Sequence, residues 1–143
     1  ARKFFTQGFD WKEFFKSDEV RTPNARRGDW SFDKHVVNNA MAVKSNALWW
    51  RVSGDESDRQ FAPEMIAILD RFHGMVTGVF TGDECLNGKN PVQGTELCAV
   101  VEYMFSLEQV QTILADAAIG DRLGGRGHLQ RQQLAIRDAR NRL

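Results

Sequence analysis

The residues with the most chemical potential lie between positions 81 and 98. Thr81-Gly82-Asp83-Glu84-Cys85 brings two carboxylates and a thiol together, and Thr95-Glu96-Leu97-Cys98 follows ten residues further on. A carboxylate and a thiol two positions apart diverge within a regular helix, so Glu96 and Cys98 can act together only where a helix begins. There, free amides and the helix dipole favour anions, which makes a cysteine a better metal ligand or nucleophile. Zinc accepts sulfur, imidazole nitrogen and carboxylate oxygen, so Glu96, Cys98 and either Cys85 or His35 form a partial donor set. The competing reading is an ordinary buried Cys98 with Glu96 complementing the dipole. His35 and Asn39 stand four apart on one helical stripe, suited to sugar hydroxyls or to a hydrogen-bonded polar pair in a core. His73 precedes Gly74 and reads as a helix C-terminal residue facing the dipole. Adjacent Trp49 and Trp50 must point in different directions, so at least one belongs to the core.

The elements that must carry these residues read as helices. Residues 9 to 19 form a short amphipathic segment with Phe9, Trp11, Phe14 and Phe15, and 20 to 31 a polar loop. From Ser31 or Asp33, both plausible N-caps, a long helix is expected to Val52 and to end at Ser53-Gly54-Asp55. Phe61, Met65, Ile68, Leu69 and Phe72 mark the clearest amphipathic helix, over 58 to 73, with Gly74 as its stop. Residues 75 to 94 are rich in glycine and form a long connection, a place to look for function. A further helix over 95 to 115 is apolar on more than one face, which predicts deep burial. The fold class is therefore all-α, built from helical hairpins whose apolar flanks call for neighbours; no internal repeat is present.

Bulk properties bound the rest. The 143 residues carry 19 basic and 19 acidic side chains, so no global positive field exists to gather nucleic acid. No apolar run is long enough to span a membrane. Two cysteines do not make a disulfide framework, though a single Cys85–Cys98 bridge is conceivable. The chain opens ARKFFTQGF, without a charged-then-apolar targeting pattern, and gives no address.

Three stretches, HVVNNAMAVKSNALWW (35 to 50), DRFHGMVTGVFTGDECLNGKNPVQGTELCAVVEYMFSLE (70 to 108) and GDRL (120 to 123), together resemble an internal segment of glycoside hydrolase family 127, the β-L-arabinofuranosidase type. The resemblance implies part of an (α/α)6 barrel over residues 1 to 123, a retaining glycosidase activity on furanosides or related glycans, and a zinc ion held by one glutamate and three cysteines. On the matched positions, Glu96 resembles the zinc-binding glutamate and Cys98 the first zinc-binding cysteine. Glu84 resembles the acid/base carboxylate, with Asp83 as its rival, and His35 a sugar-contacting histidine. Cys85 stands where relatives need no cysteine and is a substitute ligand at most. The family's remaining cysteines, its nucleophile included, fall downstream of the matched stretch and have no counterpart here, which leaves Cys98 to serve as metal ligand, catalytic thiol or both.

After Leu123 the resemblance stops. Residues 124 to 143 form an arginine-rich, weakly amphipathic tail in which Leu129, Ile136 and Leu143 keep heptad spacing. A carbohydrate substrate and self-association through the apolar flanks are the expected partners, and a non-catalytic helical oligomerising fragment is the alternative to an enzyme.

Overall fold

The computed structural model describes residues 2–23 and 30–124. Every regular element among them is helical: α1 (Arg2–Gln7), α2 (Trp11–Lys16), α3 (Val36–Ala42), α4 (Ser45–Ser53), α5 (Glu56–His73), a short 3-10 turn (Pro91–Gln93), α6 (Leu97–Leu114) and α7 (Ala117–Gly124). Strand-like pairing among the described residues is confined to three isolated bridges, so the all-α expectation holds. No described helix is long and apolar enough to cross a membrane. The heptad positions of the tail lie outside the described residues.

α5 follows the sequence closely. Asp55 caps it by accepting from the Ser57 amide, Glu56 and Asp58 lie in its first turn and Arg71 in its last, each charge complementing the dipole. Phe61, Met65 and Leu69 are buried on one side. α4 ends, as its sequence predicts, at Gly54 in the left-handed region (φ 70°). Gly74 ends α5 for a different reason. Its backbone is extended, and an added Cβ would lie 2.4 Å from the Asp70 carbonyl oxygen.

Several expectations need correction. The long helix starts at Val36 rather than Ser31 or Asp33, because His35 is extended and the 34–36 backbone is taken up by pairing with the loop. It is also broken at Val43 and Lys44, so that α3 packs mainly on α6 and α4 mainly on α5. α6 is apolar on two faces, but only one is buried. Tyr103, Leu107 and Val110 are inside, while Leu97, Val101 and Phe105, four residues apart, are exposed. Neither tryptophan of the 49–50 pair is core: Trp49 stacks on Phe5 at 4.1 Å and Trp50 lies under Arg59, both half-buried.

The connection from 75 to 94 is a structural layer in its own right. Val79, Phe80 and Leu86 join the core, and Phe80 meets Tyr103 edge to face at 5.2 Å. The bidentate ion pair of Arg122 with Asp70, together with a bond from Arg122 to the Gly78 carbonyl at 3.2 Å, ties α7 to α5 and to this loop.

His73 anchors the loop and does not face the dipole. It is fully buried. The Gly88 amide donates to its Nδ1 at 2.9 Å, so Nδ1 must be bare, and Nε2 carries the proton that it donates to the Val20 carbonyl at 2.6 Å. One neutral ring thereby joins the segment before residue 24, the end of α5 and the loop. Burial pushes its pKa below the ordinary histidine value, opposed by the Val20 carbonyl and reinforced by the Lys34 ammonium. A histidine with a depressed folded-state pKa leaves the native state with fewer bound protons than the unfolded chain. Stability should therefore be constant above the ordinary histidine pKa of about 6.5 and fall as pH drops below it. Urea unfolding followed from pH 8 to pH 5 is expected to show this loss, and His73→Gln should flatten the part of the curve near pH 6. An unchanged slope in the variant would remove His73 from the account.

Candidate functional site

The site is built by two chain segments that meet through their backbones. The Val36 amide donates to the Glu84 carbonyl at 2.8 Å, the Leu86 amide donates to the Lys34 carbonyl at 2.9 Å, and His35 and Cys85 face each other in an antiparallel bridge. This pairing sets the Glu84 carboxylate against the His35 ring, with Nε2 to Oε2 at 3.3 Å. Trp30 also lies against this ring, its centroid 5.8 Å away and its side chain mostly exposed. An indole, an imidazole and a carboxylate are thus neighbours. Trp30 escaped the sequence reading because it sits in a polar, glycine-containing loop where only its type, not its spacing, signals a role.

Glu84 occupies this place at a conformational cost. Its φ of 79° puts a non-glycine residue in the left-handed region, a strain on the order of 1–3 kcal/mol that only surrounding structure can enforce. The enforcing contact is Gly82, whose φ is 154° and whose hydrogens lie against α3. A Cβ there would come within 2.1 Å of the Val36 side chain and 2.4 Å of the Cys85 carbonyl oxygen. Gly82 also accepts from the Glu96 amide at 3.0 Å and donates to Gly94 at 3.2 Å. The glycine therefore fixes both the Glu84 turn and the entry to α6.

Asn38 and Asn39 hold the turn that presents His35. Asn38 donates to the Phe32 carbonyl at 2.9 Å, and fully buried Asn39 donates to the carbonyls of Asp33 (2.7 Å) and His35 (2.9 Å). The amide nitrogen of Asn39 is thus engaged by the main chain, leaving its buried Oδ1 without a partner. Asp83 is half-buried beside Glu84 in the sequence. The Glu84 side chain is 57% exposed and that of His35 16%, so Glu84 is the accessible member of this contact.

Glu96 stands at the N-cap of α6 and Cys98 in its first turn, the one arrangement in which the two can act together. The Glu96 side chain does not cap the helix, and its Oε2 is buried without a hydrogen-bond partner. Neither cysteine is in a disulfide. Cys85 is buried and Cys98 exposed, so no bridge joins them. Among the described residues, no three His, Cys, Asp or Glu side chains are grouped so as to hold a metal ion. Glu96, Cys98 and Cys85 are therefore not grouped as a zinc site among these residues.

Comparison with family models, with curated proteins and with solved structures finds no match for this chain.

The Gly82 constraint is directly testable. Gly82→Ala introduces a methyl group that meets a fully buried valine and a backbone carbonyl, and should destabilise the fold by about 1–3 kcal/mol. The His35 ring signals should shift as the Glu84 turn is displaced. Wild-type stability together with an unmoved His35 resonance would show that the turn does not depend on this glycine.

Proposed function

We propose that this chain carries a carbohydrate site of the family 127 β-L-arabinofuranosidase type, with Glu84 as the acid/base carboxylate and His35 as a sugar contact. The observation that supports this reading is the strained, exposed Glu84 carboxylate held against His35, whose ring also meets the exposed Trp30. Sugar recognition needs an aromatic face for the C–H side of a ring and polar groups for its hydroxyls. A carboxylic acid at the rim can protonate the departing glycosidic oxygen, and the resulting carboxylate can take a proton from water in the second half of a retaining reaction. In this reading α3 to α7 correspond to part of an (α/α)6 barrel, and Asp83 and Asn39 serve by fixing the Glu84 and His35 turns. The zinc implied by the resemblance would need donors beyond Glu96 and Cys98.

A second reading has its own observation. Leu97, Val101 and Phe105 form an exposed apolar stripe on α6, with Met41 and Leu48 exposed on α3 and α4. A helical assembly that covers this stripe with another copy would need no catalysis.

A screen of p-nitrophenyl furanosides and pyranosides separates the two. Under the first reading at least one furanoside is hydrolysed, and Glu84→Gln lowers the rate by about 10²- to 10⁴-fold with the helical spectrum unchanged. Absence of turnover by the wild-type chain, together with concentration-dependent association abolished by Val101→Glu, would favour the second and exclude the first.

A further inference from the structure

The outer face of α6 carries an apolar line that stays half open among the described residues. Leu97, Val101 and Phe105 follow one another at four-residue intervals and are 44%, 53% and 48% exposed. The same helical spacing carries the line on to Glu108, which is also exposed. There it runs into a groove of about 490 Å³ between α6 and α7, walled by Met104, Phe105, Glu108, Gln111, Gly120 and Leu123. Contiguous exposed apolar surface of this kind marks a contact.

The path of α7 shows which segment arrives at that surface. α6 ends at Ala115 in the left-handed region (φ 51°) and α7 starts at Ala117, so the two helices turn back on each other. A Cβ on Gly120 would lie 3.0 Å from the Gln111 side chain, the Arg122 guanidinium sits over the Tyr103 ring at 5.7 Å, and Leu123 shares the groove with Met104 and Phe105. Each step forward along α7 is thus a step backward along α6. The chain leaves α7 beside Phe105, directed along α6 toward Val101 and Leu97.

The residues that follow match this surface in length, apolar spacing and charge. From Leu97 to Phe105 the line is about 12 Å long at the helical rise, and residues 125 to 143 can span it even when coiled as a helix. Leu129, Ile136 and Leu143 recur every seven residues, a spacing that aligns apolar side chains along one edge. Between 95 and 115 the chain has Glu96, Glu102 and Glu108 and no basic residue, whereas 125 to 143 holds Arg126, Arg131, Arg137, Arg140 and Arg142 against a single acid, Asp138. Glu102 is engaged by Lys44 at 3.7 Å. Glu108 has no ion-pair partner among the described residues, and it lies at the end of the line where α7 delivers the arginine-rich segment.

We propose that residues 125 to 143 dock along the Leu97, Val101 and Phe105 line of their own chain, with apolar side chains on the line and arginines toward Glu108. This inference does not rest on the reading of Glu84 and His35. It differs from coverage by a second copy in that the covering segment comes from the same chain.

Methyl-labelled NMR of the whole chain tests it. The Val101 methyls should give nuclear Overhauser cross-peaks to methyls of Leu129, Ile136 or Leu143. These peaks should be unchanged on dilution and absent from an isotope-filtered spectrum of mixed labelled and unlabelled chains, which reports contacts between copies alone. Val101→Glu, at a half-exposed position, should erase them while the core signals of α5 stay in place. Ile136→Asp, which alters no residue of the described core, should do the same. Methyls of 129, 136 and 143 without a cross-peak to α6, cross-peaks found only between copies, or cross-peaks that survive both substitutions would overturn the proposal.

Discussion

A long connection can lie against a hydrophobic core only if its backbone amides and carbonyls find partners, since each buried group left unpaired costs as much as a lost hydrogen bond. Between α5 and α6 this requirement is met by pairing with distant segments. Loop carbonyls and amides at 84 and 86 pair with 34 and 36, Gly82 pairs with 94 and 96, and the Gly88 amide finds the buried ring of His73. The Thr81 hydroxyl, also buried, donates to the Gly88 carbonyl. The position of every candidate catalytic side chain follows from this pairing. Glu84 reaches His35 because its own carbonyl is held by the Val36 amide, and Glu96 begins α6 where Gly82 accepts its amide.

Two residues make the pairing possible for opposite reasons. Gly82 contributes by having no side chain, which lets the loop backbone approach Val36 more closely than any Cβ would permit. His73 contributes a ring that can accept on one nitrogen and donate on the other, bridging Gly88 and Val20 while staying neutral. A protonated ring would have two donors and could no longer accept from Gly88. The same neutrality that seals the core therefore makes the loop sensitive to acid. The carboxylate carried by the loop inherits its position from these two sites.

How much of this was legible in the sequence depends on range. α5 was visible because Phe61, Met65 and Leu69 repeat at helical spacing within one segment that a glycine ends. The start of α6 beside Glu96 and the importance of the 75–94 connection were also legible. What could not be read was pairing between residues about fifty positions apart, which moved the start of α3 from Asp33 to Val36 and drew His73 from a helix end into the core. α7 was missed because it is short and its attachment is an Arg122–Asp70 ion pair rather than a long apolar stripe. The open side of α6 was misread for a related cause: apolar periodicity reports which residues could be buried, and only the neighbours α3, α4 and α7 decide which of them are.

The 82–88 backbone is locked to the helical core and so holds Glu84 in its strained position against His35. Native-state hydrogen exchange at the Val36, Leu86 and Gly88 amides measures that lock directly, because each donates one of the bonds that form it. These three amides should exchange as slowly as those in the buried middle of α5 and α6, opening only with the whole structure. Exchange of all three at the rate of an exposed loop, while α5 and α6 stay protected, would show that the loop opens on its own and that no fixed Glu84–His35 geometry exists.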